Sequence, residues 1–303
     1  MKQTNRAEVA HFKSSTNKPI VILWLLPLLI FLIVFLLFPT LDVIRLSFTN
    51  ATLTGDHYKY TFSSYLRVLN DPTFPSTMAI TVFFVAFSVI FQFMLGFLIA
   101  LAVDTGEKRH LHGTVITRTI ALISWAIPGV AIGIIFKILY SETQSGIINY
   151  LLSLIHVGPV QFLTSPFLAL FFTSIANVWR GTAQSMILLY AGLKTVPNDI
   201  LEASNVDGAG PFRRIVSIVM PSMKSVIMVT ILLNIINTFN TYDMIMSLTG
   251  GGPGVSTNVL VLDSYRTIFQ QLDLGKGSAI AVILLLINII FALFYIRANK
   301  EES

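Results

Sequence analysis

The sequence predicts an all-α integral membrane protein with six transmembrane helices and a helix-turn-helix loop on its cytoplasmic side. Of the 303 residues, 54% are hydrophobic and only 12% are charged. An ordinary soluble domain carries roughly 25% charged residues, so a water-soluble fold of this size is excluded. The apolar residues also arrive in uninterrupted blocks rather than in amphipathic stripes. The absence of cysteine removes disulfide scaffolds, thiolate metal sites and thiol catalysis. The net charge of +5 resides largely in short connectors between the apolar blocks, which points to membrane topology and not to a nucleic-acid partner.

A hydrocarbon core about 30 Å thick takes roughly 20 apolar residues of helix. Six segments qualify: Ile20 to Phe38, Met78 to Val103, Thr119 to Tyr140, Phe162 to Leu193, Ser225 to Leu248, and Gly277 to Ile296. All are expected to be helical, because an isolated strand cannot satisfy its backbone in lipid. The first block follows a basic tail (Lys2, Arg6, Lys13, Lys18) and is longer than a signal-peptide core, so it reads as a retained span. Alternate connectors differ in charge: one side carries 13 Lys and Arg and the other five, with Lys137 and Arg180 inside spans. The positive-inside rule then places both termini, tails 1–19 and 298–303, in the cytoplasm. Gly146 to Val157 has helical spacing but is too short to cross, and is expected in the outer interface. Gly250 to Gly254 reads as a tight outer turn.

ATP chemistry on this chain would need a phosphate cradle such as G-x-x-x-x-G-K-[ST], and the sequence has none: Gly275-Lys276 has Gln270 where the first glycine should stand. Neither an H-E-x-x-H helix nor a G-x-S-x-G elbow occurs. His110 and His112 sit in a short charged loop and read as solvated residues rather than as metal ligands.

The most unusual stretch runs from Pro197 to Pro221. Pro197-Asn198 starts a helix, Gly208 to Gly210 stops it, and Pro211 suits the first turn of another. Ile200, Leu201, Val206 and Phe212 are apolar residues that so short a loop cannot bury alone. They need a groove, either on this protein's own helix ends or on another protein.

Glu202-Ala203-Ser204, followed by Asp207-Gly208-Ala209-Gly210 and by Pro221, resembles the EAA loop of binding-protein-dependent ABC importer permeases. The resemblance implies a type I ABC importer permease domain over residues 20–297. Its loop at 197–221 then holds a coupling helix that docks in a cleft of a separate ATPase, with Glu202 and Gly208 as the signature residues. Ser204 replaces the second alanine of the pattern. Pro27, Pro39 and Ser47-Phe48 resemble the first span of sugar-transport permeases, and Arg118-Thr119 with Trp125-Ala126-Ile127-Pro128-Gly129 their third. Asn177 to Thr182 and Leu248 to Pro253 look most like the larger, maltose-type subunit. The chain departs from that pattern at Ser124, where a proline is usual, and in reading as a six-span core without the added N-terminal helices and outer domain of some maltose-type subunits.

Asn234, Asn237, Thr238 and Thr241 fall on one face of the fifth predicted span. Two readings fit. One is interhelical hydrogen bonding, worth about 0.6 to 2 kcal/mol per contact. The other is the wall of a polar cavity, where amides and hydroxyls suit a hydroxyl-rich solute. By resemblance, a sugar is held by the third, fourth and fifth spans. The matching positions are Trp125 and Gly129, then Arg180, Gly181 and Gln184, then Asn234, Thr238 and Thr241. Trp125 also has the aromatic face that stacks on a sugar ring, against a plain packing role. Gly129 and Gly133 form a small-xxx-small pair suited to close helix packing. Arg180 lies inside an apolar block. It has three candidate roles: binding an anionic solute, pairing with Asp243, or marking a helix break at Gly181. Pairing is the preferred one.

The resulting expectation is a non-enzymatic transport subunit of a bacterial or archaeal inner membrane. It would pair with a second permease and two ATPase subunits, which hold the ATP and magnesium, and receive a sugar from an extracytoplasmic binding protein. No cofactor is expected on this chain. The rivals are an ABC permease for glycerol phosphate or another non-sugar solute, an ion-coupled secondary transporter with Asp243 as carrier, and a membrane-embedded enzyme, for which no catalytic cluster is visible.

Overall fold

The computed structural model describes residues 18–55, 57–143 and 146–300. Lys2, Arg6, Lys13 and the last three residues of the chain lie outside them. In order, the helices are α1 (Lys18–Leu32), α2 (Phe38–Ser47), α3 (Ser63–Leu69), α4 (Phe74–Lys108), α5 (Thr114–Ala126), α6 (Gly129–Leu139), α7 (Ile147–Leu154), α8 (Pro166–Leu193), α9 (Asn198–Val206), α10 (Pro211–Arg214), α11 (Met220–Ser222), α12 (Lys224–Phe239), α13 (Asp243–Leu248), α14 (Leu260–Phe269) and α15 (Leu274–Lys300). Among the described residues, extended pairing is limited to one isolated bridge between Thr49 and Tyr60. The chain divides into two units, at Arg45/Leu46.

The described residues of the first unit, 18–45, are helical throughout. A π-helical turn, Ile33–Leu37, joins α1 to α2, with the Phe38 N–H reaching back to the Ile33 carbonyl. Pro39 explains it: proline has no N–H and its ring crowds the carbonyl four residues earlier, so the preceding turn widens. The same device recurs in the second unit, where the π-helical turn Ile215–Val219 stands two residues before Pro221.

The centre of the second unit is the pairing of α4 with α8. A Cβ on Gly96 would lie 2.5 Å from the Ser185 Cβ and 2.9 Å from the Met186 nitrogen, so only glycine lets the two backbones approach this closely. Below that contact Phe97, Ala100, Met186, Leu189, Leu193, Val219 and Met223 form one buried cluster. Above it Phe84, Ile132, Tyr140, Phe162 and the α13 residues Met244, Ile245 and Leu248 form another.

Among the described residues, three helices are long and apolar enough to cross a membrane unbroken: Trp24–Ser47, Phe74–Lys108 and Leu274–Asn299. Two further bent pairs bring the number to five if each pair is one span. The third predicted span, Thr119 to Tyr140, is corrected in one respect: it is not one continuous helix. Pro128 holds Ile127 in extended backbone, and α5 and α6 meet at 102°. The fifth, Ser225 to Leu248, is corrected too: α12 ends at Phe239, Asn240–Tyr242 leave the helix, and α13 follows. Upstream, α11 and α12 turn by 80° at Met223. The fourth segment is one unbroken helix of 28 residues, which removes the suggested break at Gly181. It is not among the helices apolar enough to stand as spans: it carries Arg180 and Gln184 and turns Thr173, Ser174, Asn177, Thr182 and Ser185 into the interior. α14, in the connector 249–276, had no sequence expectation at all.

The segment around α7 is tied down by side chains acting as backbone. Asn149 donates to the carbonyls of Ser141 (3.2 Å) and Val160 (3.1 Å) and accepts from the Val160 N–H (2.9 Å). Glu142 accepts from the N–H groups of Leu163 and Thr164, both at 2.9 Å.

Ion pairs fasten α3 and the start of α4 to the start of α15. Arg67 pairs with Asp273, and Lys276 Nζ lies 2.6 Å from Asp71. The hydrogen bond from Lys276 lowers the Asp71 pKa to about 2, against the opposing effect of burial, with Thr73 adding two weaker bonds. A carboxylate with a depressed folded pKa stabilises above its unfolded pKa and loses that contribution as pH falls through the folded value. After screening by solvent the pair is thus expected to contribute about 1 kcal/mol at neutral pH, fading between about pH 4 and pH 2. Asp71→Asn should lower the melting temperature of the solubilised protein at pH 7, with the difference from wild type closing below pH 3. A difference that stays constant across that window would rule the linkage out.

Candidate solute-binding cavity

A cavity of about 500 Å³ opens where the two helix breaks face α4 and α8. Its walls are Gln92 of α4, Trp125 at the end of α5, Asn177, Arg180, Gly181 and Gln184 of α8, Asn234, Asn237 and Thr238 of α12, the irregular Asn240–Tyr242, and Asp243 at the start of α13. Each polar group is present for a local reason. Thr241 donates to the Asn237 carbonyl (2.9 Å) and Asn240 to the Ile236 carbonyl (2.7 Å), so these side chains take over carbonyls near the end of α12.

Deeper in the wall the amides pair across helices. Gln92 donates to the Asn177 carbonyl (3.0 Å), Asn234 to Ser185 Oγ (2.7 Å) and Asn237 to Gln184 Oε1 (2.9 Å). Gly181 makes the first of these possible, since a Cβ there would fall 2.3 Å from the Gln92 carboxamide carbon. Among the described residues, the side-chain oxygen of buried Asn234 has no hydrogen-bond partner. An unpaired buried carbonyl costs free energy that a water or a solute hydroxyl relieves.

Arg180 Nη1 lies 3.5 Å from Asp243 Oδ1. This is the pairing preferred from the sequence. Gly129 is the one candidate that does not line the cavity. A Cβ there would stand 2.0 Å from Asp243 Oδ2, so this glycine lies behind the carboxylate. Gly133, one turn on, is likewise filled by Ser247 Oγ, 2.0 Å from its ideal Cβ. Trp125, Arg180, Gly181, Gln184, Asn234, Asn237, Thr238 and Thr241 do converge on the cavity. Gln92 and Asn177 were missed, although each is an amide within an apolar block, which is itself the signal. Tyr242 carried no signal in the sequence.

At the other end of α8 the loop 197–221 forms a helix, a glycine turn and a second helix. Gly208 has φ +71°, and the Ala209 N–H bonds the Ser204 carbonyl at 3.0 Å, closing a Schellman-type stop. Ser204 is buried, and its hydroxyl donates to the Leu201 carbonyl (2.6 Å). Leu201 packs on the cluster around Phe97 and Leu189, while Val206 (88% exposed) and Phe212 (80%) do not bury themselves. Glu202, Ala203, Asp207, Gly208 and Gly210 are exposed and Ala209 partly so. The two alternatives left open by the sequence therefore divide by residue: Leu201 has its groove at home, and Val206 and Phe212 do not.

Residues 92–300 match the family described as binding-protein-dependent transport system inner membrane component. Over 279 residues, 92% of each chain, the sequence is 33% identical to the trehalose/maltose transport system permease protein MalF of Thermococcus litoralis. It is 29% identical to the sulfoquinovosyl glycerol transport system permease protein SmoG of Agrobacterium fabrum, covering 95% of this chain and 92% of that one. The fold superposes with a TM-score of 0.80 on a chain of a bacterial ABC transporter involved in the import of the acidic polysaccharide alginate, at 19% identity and covering 94% and 96% of the two chains. A family match over more than half the sequence, together with relatives aligned almost end to end, shows that the chain belongs to the inner-membrane components of binding-protein-dependent transport systems.

Proposed function

We propose that the chain is a permease subunit of an ATP-driven ABC importer for a sugar or oligosaccharide. The observation that carries this is the cavity lining: amides and hydroxyls from three separate helices, an aromatic face at Trp125, and charges that cancel within the wall. Such a surface donates to and accepts from hydroxyl groups without demanding a charged solute. Its volume falls in the range of small-molecule sites. The names of the relatives, one for trehalose and maltose and one for sulfoquinovosyl glycerol, an anionic sugar derivative, support sugars as the solute class without fixing their charge.

The importer reading brings partners. A second permease completes the pathway, two ATPase subunits bind ATP and magnesium, and an extracytoplasmic binding protein delivers the sugar. The chain crosses the membrane six times with both termini in the cytoplasm, the bent pairs and α8 counting as spans beside the three unbroken helices. Glu202, Ala203, Ser204, Asp207, Gly208, Ala209 and Gly210 form the coupling segment, with the exposed Val206 and Phe212 offered to the ATPase. ATP closes the ATPase dimer, the segment moves with its cleft, and the spans present the cavity to one side and then the other.

Two tests follow from this assignment, both read in proteoliposomes holding the complete transporter. Asn237→Ala and Trp125→Ala should each raise the half-saturating concentration for trehalose uptake about tenfold, the scale of one lost hydrogen bond or stacked ring. Unchanged uptake in both variants would remove the cavity from the pathway. For coupling, nothing lies within 4 Å of a Cβ on Gly208, but its φ of +71° excludes β-branched side chains. Gly208→Val should leave insertion and assembly intact while abolishing uptake and stimulation of ATP hydrolysis by the loaded binding protein. Normal stimulated hydrolysis in that variant would end the coupling role.

A further inference from the structure

Among the described residues lining the cavity, Arg180 and Asp243 are the charged ones. They are not locked together. Their separation of 3.5 Å is at the long limit of a hydrogen bond, and their side chains are 31% and 30% exposed. Both retain bonding capacity: the guanidinium has five N–H donors and the carboxylate two acceptor oxygens.

Gly129 adds the second half of the arrangement. All three atoms of the Asp243 carboxyl group lie within 2.7 Å of the ideal Cβ position of Gly129, so the carboxyl rests directly on this glycine's backbone. Gly129 is also the first residue of α6, and the field at a helix N-terminus favours a carboxylate there. The charge on Asp243 is therefore held beside Arg180 by a residue that takes no part in the wall itself.

We propose that Asp243, seated by Gly129, is the specificity determinant that sets this cavity for uncharged glycans and against acidic ones. A polyol can give hydroxyl hydrogens to Asp243 and accept N–H groups from Arg180 without disturbing the pair. A uronate or sulfonate would have to bring its anion to Arg180, next to a carboxylate already in place, and the two like charges repel. The inference rests on the sugar reading above and adds the charge class of the sugar.

The test uses the complete transporter in lipid nanodiscs without binding protein, so that this site alone selects. Equilibrium binding is measured for radiolabelled trehalose and for a disaccharide containing glucuronic acid. Wild type is expected to bind trehalose at least tenfold more tightly than the acidic sugar. Asp243→Asn should tighten the acidic sugar at least tenfold, and Gly129→Ala, which displaces the carboxylate, should shift it in the same direction by less. The double variant Arg180→Gln/Asp243→Asn should lose that gain, because the acidic sugar then has no cation to bind, whereas a general loosening of the site would leave the gain in place. Acidic sugar bound by wild type as tightly as trehalose, or no gain in Asp243→Asn, overturns the inference and leaves the sugar reading standing. If Asp243→Asn does not assemble, the wild-type preference and Gly129→Ala decide. Wild type that binds neither saccharide removes the sugar reading, and this inference with it.

Discussion

At the depth of a bilayer a backbone N–H or C=O that leaves its helix has no water to turn to, unless it is buried in protein or lines a wet cavity. Two predicted spans do leave their helices, at Ile127–Pro128 and at Asn240–Tyr242. The second break adjoins Asp243, and Asp243 lies against Gly129, the first helical residue after the first break. The cavity is the consequence: two interruptions share one polar space, lined by side chains from the continuous helices α4 and α8. Had either break fallen at a different depth, each would have needed a separate set of partners.

That shared space requires two rigid helices behind it. The glycine contacts supply them, since Gly96 sets α4 against Ser185 and Gly181 admits the Gln92 side chain. At the end of α8 the joint is ionic. Lys194 lies 2.7 Å from Asp104 and 2.9 Å from Glu107, and Arg118 lies 3.2 Å from Glu107, with the Tyr190 hydroxyl also bonded to Glu107. These residues come from the ends of α4 and α8 and from the first turns of α5. The cluster therefore fixes the base of α5, whose far end carries Trp125 into the cavity. Packing holds the middle of the bundle, and charge holds its end.

What the sequence made legible follows the strength of each physical signal. Apolar blocks located α4, α8 and α15 because nothing but hydrocarbon or a buried core suits them. The amide face from Asn234 to Thr241 was legible for the opposite reason, since such groups cannot face lipid. The breaks were harder. Pro128 lies in an apolar context that reads as one block by hydropathy, and only the restriction on the residue before proline indicates where α5 stops. The end of α12 at Phe239 carries no proline or glycine, because Asn240 and Thr241 cap carbonyls locally with side chains that also read as helix-face polar residues. Gly129 was legible as a close-packing glycine by spacing and as a wall residue by resemblance. The geometry satisfies the first description and not the second.

The loop and the cavity are joined by a short run of packed residues rather than by a long lever. Leu201 of α9 packs on the cluster that contains Leu193, Val219 and Met223. Met223 is 1% exposed and occupies the 80° turn between α11 and α12. Gly192 brings α8 against that turn, with its ideal Cβ only 2.8 Å from the Met223 methyl group and 2.9 Å from Val226. From there α12 runs without interruption to Asn234, Asn237 and Thr238. A close-packed interior transmits displacement because it has no free volume to absorb it. The π-helical turn at Ile215–Val219 and the bend at Met223 lie between the exposed glycine turn at Gly208 and the amides of the wall. Both flank Pro221, which cannot donate a backbone hydrogen bond to either turn.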